Sequence, residues 1–199
     1  MAKHADHEKR RAAFAEAAFN ILARDGLAGL TVRDVAREAG FTTGALVHYF
    51  PSKSELFVAA SEHAALVVRP RMEQDEVAYP GLEGVRRVIY DALPRTPEAR
   101  ALWSVWLVFW DRAKVDPVIG KLARERYAEW HGRLARLLGR AQEAGDLSPK
   151  ADPELLAQTA TILVDGIAVQ ALRTSARLSP ARQKALIDAW IDSLPKKSG

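Results

Sequence analysis

The chain has 199 residues, 48% apolar and 27% charged, with no cysteine and a formal charge of +4 at neutral pH. That apolar fraction over this length is enough for a true core, while the missing thiols exclude a disulfide framework and a thiolate metal site and fit a reducing cytoplasm. The basic excess permits nucleic-acid binding without requiring it, because residues 1–63 hold eight basic and eight acidic side chains.

In chain order, the opening MAKHADHEKRR lacks the apolar stretch of a secretory signal and reads as a mobile arm carrying Lys9, Arg10 and Arg11. Glycine and proline then punctuate a series of periodic segments that predicts an all-α chain of about nine helices, at 8–24, 31–38, 43–49, 53–74, 82–92, 97–114, 116–144, 152–175 and 180–193. Pro70 is expected to end or kink the fourth, and Gly145 to close the seventh. Four starts repeat one device, a capping residue before a proline at the first helical position: Thr96-Pro97, Asp116-Pro117, Asp152-Pro153 and Ser179-Pro180. No alternating strand pattern and no internal repeat appears. The longest uninterrupted apolar run, 105–110, is too short to span a membrane.

The stretch from Thr31 to Phe57 reads as a helix-turn-helix. Val32, Val35, Ala36 and Ala39 give its first helix one apolar face, and Leu46 and Phe50 do so for the second. Ala36 is the small residue that two steeply crossing helices need, and Gly40 suits a turn at positive φ. Thr31 with Asp34 and Ser52 with Glu55 form capping boxes, and Thr42 caps the second helix. On that helix Thr42, Thr43, Gly44, Ala45, Val47 and His48 are left outward. They are short or hydrogen-bonding, and none carries a carboxylate that phosphates would repel. Lys53 beside a helix start is either a phosphate clamp or a solvated first-turn lysine.

These residues carry a resemblance. The segment near 8–68 resembles the N-terminal domain of the TetR (tetracycline-repressor-like) family of bacterial regulators. It does so through Asp25-Gly26, the run from Thr31 to Ala36, Ala39-Gly40, Thr43 to Leu46, His48-Tyr49-Phe50 and Ser52 to Leu56. Val47 stands where the family commonly has an aromatic, and Pro51 where it has a polar residue. The resemblance implies that Thr42, Thr43, His48 and Tyr49 contact a palindromic operator, that Lys53 holds a phosphate, and that Arg33 reaches the backbone. It further implies a helix-turn-helix near 31–50 in a head at 8–68, on a ligand-binding and dimerisation body at 69–195. The body is similar to that of the choline-responsive repressor subgroup through residues 103–110, Tyr127 with Trp130, and the run 164–170.

Within the body, Trp103, Trp106 and Trp110 share one helix face, with Tyr127 and Trp130 on the next helix. Together with Asp165 they are either core or the lining of a pocket for an apolar or quaternary-ammonium effector. Asp165 is the only charge between Glu154 and Arg173. Asp111 is a second carboxylate near those rings, placed where a surface group is expected. Ile162, Gly166 and Val169 on the eighth helix, with Ile187, Trp190 and Ile191 on the ninth, are candidates for a homodimer interface, against the alternative of a monomer with a large core. Leu56, Ala60, Ala64 and Val67 give the fourth helix a face that would link body to head. The five histidines show no metal-ligand spacing, and no phosphate loop or nucleophile elbow appears, so neither an enzyme nor a cofactor is expected. The competing reading is a helical protein-interaction module without DNA binding.

Overall fold

The computed structural model describes residues 2–174 and 177–197. Among these the chain is all-α: α1 Ala2–Gly29, α2 Val32–Glu38, α3 Thr43–Tyr49, α4 Lys53–Ala78, α5 Gly81–Ala92, α6 Pro97–Arg112, α7 Pro117–Glu143, α8 Pro153–Arg173 and α9 Pro180–Asp192. The four expected proline starts are real caps. The Thr96 hydroxyl accepts from the Ala99 N–H at 3.2 Å, Asp116 Oδ1 from Val118 at 3.0 Å, Asp152 Oδ1 from Glu154 at 3.0 Å, and the Ser179 hydroxyl from Arg182 at 3.3 Å. Gly145 closes α7 at φ 87°, where a side chain would be strained, with the Asp146 N–H donating back to the Ala141 carbonyl.

One expectation fails, and one of the two outcomes expected at Pro70 does not occur. The N-terminal arm is helical from Ala2, and α1 continues to a break at Gly26 (φ 66°) before a last short turn. Pro70 does not end α4, which runs on to Ala78. A proline at 70 removes only the one helical hydrogen bond that the Leu66 carbonyl would have accepted, and α4 keeps its helical turns on both sides. The smaller differences are single turns: α6 stops at Arg112 and α8 at Arg173.

The described chain forms two compact units, residues 2–67 with Ala101–Ala123, and Val68–Arg100 with 124–197. A single boundary near residue 68 therefore does not describe the packing. Val105, Phe109 and Ile119 complete the core that Phe14, Ile21, Leu22, Leu30, Leu46 and Leu56 begin, and the Phe57 and Phe109 rings stack at 5.7 Å and 8°. Leu56, Ala60 and Ala64 are buried as expected, but Val67 is 52% exposed and does not belong to that face.

In the second unit α5 packs on α9, where Arg86 and the Tyr90 hydroxyl both donate to Asp188. α8 buries Ala157, Ala160, Thr161, Val164, Ile167, Ala168 and Ala171. By length and composition alone α8 is also apolar enough to cross a membrane, although threonine, glycine and Asp165 break its apolar runs. Its buried positions are those of a core helix.

Candidate nucleic-acid interface

The head is built from short helices locked at their starts. The Thr31 hydroxyl accepts from the Asp34 N–H at 3.1 Å and donates to the Asp34 carboxylate at 2.5 Å, which holds that carboxyl below its usual range. Arg37 reinforces it from the next turn at 2.6 Å. The turn follows at Gly40, φ 75°, and the Phe41 N–H donates to the Ala36 carbonyl at 2.9 Å. Ala36 is 1% exposed, so the close approach that its small side chain allows is used.

α3 then starts on Thr42, whose hydroxyl accepts from the Ala45 N–H at 3.2 Å. Leu46 is its one buried residue. Thr42, Thr43, Gly44, Val47 and His48 are exposed, while Ala45 and Tyr49 are half-buried. Val47, at 49% exposure, puts an aliphatic branch on an otherwise small, polar face. Arg33 on α2 and Lys53 at the start of α4 are exposed as well. The second capping box forms, with the Glu55 N–H donating to the Ser52 hydroxyl and that hydroxyl donating to Glu55, both at 3.1 Å. The arrangement is a capped helix with short or hydrogen-bonding side chains outward and no acid along its length, with exposed cations on the preceding helix and at the start of the next. Such a helix can enter a major groove while neighbouring groups hold phosphates.

Two contacts of the head were not foreseen. The His7 ring lies 4.5 Å from the Tyr49 ring, a contact readable only if residues 2–13 are helical. The Ser54 hydroxyl donates to Asp116 Oδ2 at 2.6 Å, which lowers the pKa of Asp116 and joins the first turn of α4 to the cap of α7. Nothing in the local pattern signals a bond over 62 residues.

The six residues considered for an effector fall into two groups. Trp103 is buried and meets Trp110 edge-on at 5.8 Å, and Trp106 meets Phe109 edge-on at 5.3 Å. Trp106 and Trp110 pack on the core of the first unit. Tyr127, Trp130 and Asp165 lie in the second unit. There the Tyr127 hydroxyl donates to Asp165 Oδ2 at 2.6 Å. Burial pushes the Asp165 carboxyl up, and the Tyr127 bond works against that rise. The Tyr127 phenol is raised, first by its own burial and then by the carboxylate it serves. Asp165 has no basic partner among the described residues. Asp111 is a surface group paired with Lys114 at 3.2 Å.

The candidates for self-association also divide. Ile162 is 63% exposed on α8, and Gly166, Val169 and Trp190 are half-buried. Ile187 and Ile191 are buried inside the chain, so their side chains serve the internal core and are not presented outward.

Comparison with known proteins gives two family matches. Residues 15–60 match the bacterial regulatory proteins of the tetR family, and residues 81–196 match the C-terminal part of BetI-type transcriptional repressors. The chain is 28% identical over 197 residues to the HTH-type transcriptional regulator PksA of Bacillus subtilis, covering 98% of this chain and 94% of that one. It is 26% identical to the regulator BetI of Burkholderia mallei, covering 98% and 97%. A transcriptional regulator from Saccharomonospora viridis, solved in complex with choline, shares the fold with a TM-score of 0.86 at 24% identity, covering 94% of this chain and 97% of that one.

Proposed function

This chain belongs to the tetR family of bacterial regulatory proteins, with a BetI-type C-terminal part, and from that premise we propose that it is a homodimeric repressor whose α3 reads a palindromic operator and whose second unit takes the releasing effector. It regulates transcription and is not an enzyme. The observation that carries the operator reading is the outward face of α3, where Thr42, Thr43, Gly44, Val47 and His48 are exposed on a capped helix without a carboxylate. Ala45 and Tyr49 border that face, and Arg33 and Lys53 supply phosphate contacts on either side of it. The working compartment of such a protein is the cytoplasm, where the DNA is.

Dimerisation rests on the outer face of α8, where Leu155 and Ile162 are 59% and 63% exposed and line up with Gly166 and Val169. A Cβ added at Gly166 meets nothing within 4 Å, so a side chain can leave the helix there, and Gly166→Arg should obstruct a second copy, with an unchanged helical circular dichroism signal as the control for folding. Light scattering of the wild-type protein at micromolar concentration should give a dimer mass and the variant a monomer mass. A wild-type monomer mass contradicts the dimer.

For the effector, the half-buried Asp165, served by the Tyr127 hydroxyl and without a basic partner among the described residues, suits a cationic compound with apolar substituents. Tetramethylammonium should raise the melting temperature of the wild-type protein and not of Asp165→Asn. Equal shifts in the two proteins contradict this assignment. The protein-interaction alternative has no observation in its favour, since both family matches are to regulators of transcription.

A further inference from the structure

Residues 2–14 precede the family match, which begins at residue 15. They are nonetheless fastened to the reading helix. His7, Arg10, Arg11 and Phe14 fall at i, i+3, i+4 and i+7 on α1, a single helical stripe, and every member meets an aromatic ring of the head. The His7 ring lies 4.5 Å from the Tyr49 ring at 37°. The Arg10 guanidinium sits 5.9 Å from the centre of Phe41, and that of Arg11 lies 4.8 Å from the centre of Phe50. Phe14 touches all three of those rings, with Tyr49 at 5.5 Å.

Tyr49 is therefore enclosed by Phe14 and His7, with His48 edge-on at 5.7 Å. Phe14 is fully buried and is a fixed wall. The His7 side chain is 49% exposed, so this second wall can be altered without opening the core. Residues 2–13 also carry Lys3, Lys9, Arg10 and Arg11 against Asp6 and Glu8, an excess of two positive charges before the histidines are counted. Asp6 is taken up by Arg10 at 2.8 Å, and Glu8 lies 3.7 Å from the His7 ring.

We propose that the first three turns of α1 belong to the operator-reading head, with His7 a positioning residue that fixes the Tyr49 ring for its contact with DNA. The inference rests on the assignment of α3 as the reading helix. Without the His7 ring, Tyr49 has freedom on one side that binding must remove, and ordering one such side chain weakens association by about threefold to tenfold. The effect should run through Tyr49 and depend on a flat ring at position 7.

The test uses the full chain and the duplex that the wild-type protein enriches from a random-sequence pool, with binding read by fluorescence anisotropy. His7→Ala should bind three- to tenfold more weakly at an unchanged melting temperature, and His7→Phe should restore the affinity. In a Tyr49→Ala background, His7→Ala should add no further loss. Affinity of His7→Ala within twofold of wild type overturns the proposal, as does an equal loss in the Tyr49→Ala background. Thr43→Glu measured alongside separates the two levels. If it abolishes binding while His7→Ala does not weaken it, only the role of His7 fails. If it binds as the wild type does, or the wild type enriches no duplex, the assignment of α3 fails and the role of His7 with it.

Discussion

α3 and α8 divide their surfaces in opposite ways. α3 has seven residues, buries Leu46 alone and exposes Thr43, Gly44, Val47 and His48. α8 has 21 residues and buries a stripe of seven between Ala157 and Ala171, leaving Leu155 and Ile162 as its large exposed apolar side chains. A helix as short as α3 is not stable by itself, so its place is set by its caps, by one anchor and by the rings around it. The residues that face outward are then free to be chosen for what they touch. On α8 the apolar pattern is chosen for packing, and the proposed effector and dimer contacts fall at positions outside its buried set: Asp165, and the stripe through Ile162 and Gly166.

This contrast is broken most severely at the anchor. Leu46→Ala removes the only buried side chain of α3 and should destabilise the first unit by about 2–5 kcal/mol, as fully buried leucines do. Ile162→Ala on α8 should change the stability of the monomer by less than about 0.5 kcal/mol. Thermal melts at low concentration measure both, and comparable losses would erase the distinction between the helices. Next in size is Thr43→Glu, which keeps the fold and puts a carboxylate against phosphates. Operator affinity should fall on the order of a hundredfold or more, with an unchanged helical circular dichroism signal.

Lys53→Ala sharpens the comparison by testing what flanks α3. It should weaken binding to specific and nonspecific duplexes alike and reduce the slope of log affinity against log salt by about one unit. An unaltered slope would make Lys53 a solvated first-turn lysine.

The smallest effect belongs to Asp165. Burial raises its pKa in the folded chain, so the native state holds the proton more tightly than the unfolded state does. Stability therefore falls as pH rises from the ordinary carboxylate range through the raised value. Tyr127→Phe removes a bond to the charged form and should deepen that decline, whereas Asp165→Asn should flatten it. Melting temperatures across the acid-to-neutral range decide this, and parallel curves for all three proteins would contradict it.

The head was legible because its signals are local. Caps three residues from their acceptors, a glycine at positive φ and a small residue at a helix crossing are all read from neighbours in sequence, and Thr31, Thr42, Ser52, Gly40 and Ala36 do what their types suggest. The four cap-proline starts were legible for the same reason. What escaped depends on partners distant in sequence. The turns up to Arg11 look like a charged arm until Tyr49, Phe41 and Phe50 are seen to receive His7, Arg10 and Arg11. Residues 101–123 read as body until Phe109 is seen stacked on Phe57. Trp106 and Trp110 stayed open between core and pocket wall because spacing shows a shared face without showing what it faces. Ile187 and Ile191 looked available for a second copy for the same reason. At Pro70, where the helix was expected to end or kink, the loss of one helical hydrogen bond does not end α4, which continues to Ala78.

The central claim is that the outward face of α3 reads DNA. Amide hydrogen exchange, followed residue by residue on the full chain with and without its enriched duplex, tests it most directly. The first N–H groups of α3 have no helical partner apart from the bond that Thr42 accepts from Ala45, so they should exchange rapidly in the free protein. Bound DNA should slow exchange across residues 42–49 and at Lys53, and leave α8 unchanged at its buried positions. Protection confined to other helices, with residues 42–49 exchanging as they do in the free protein, would contradict the account.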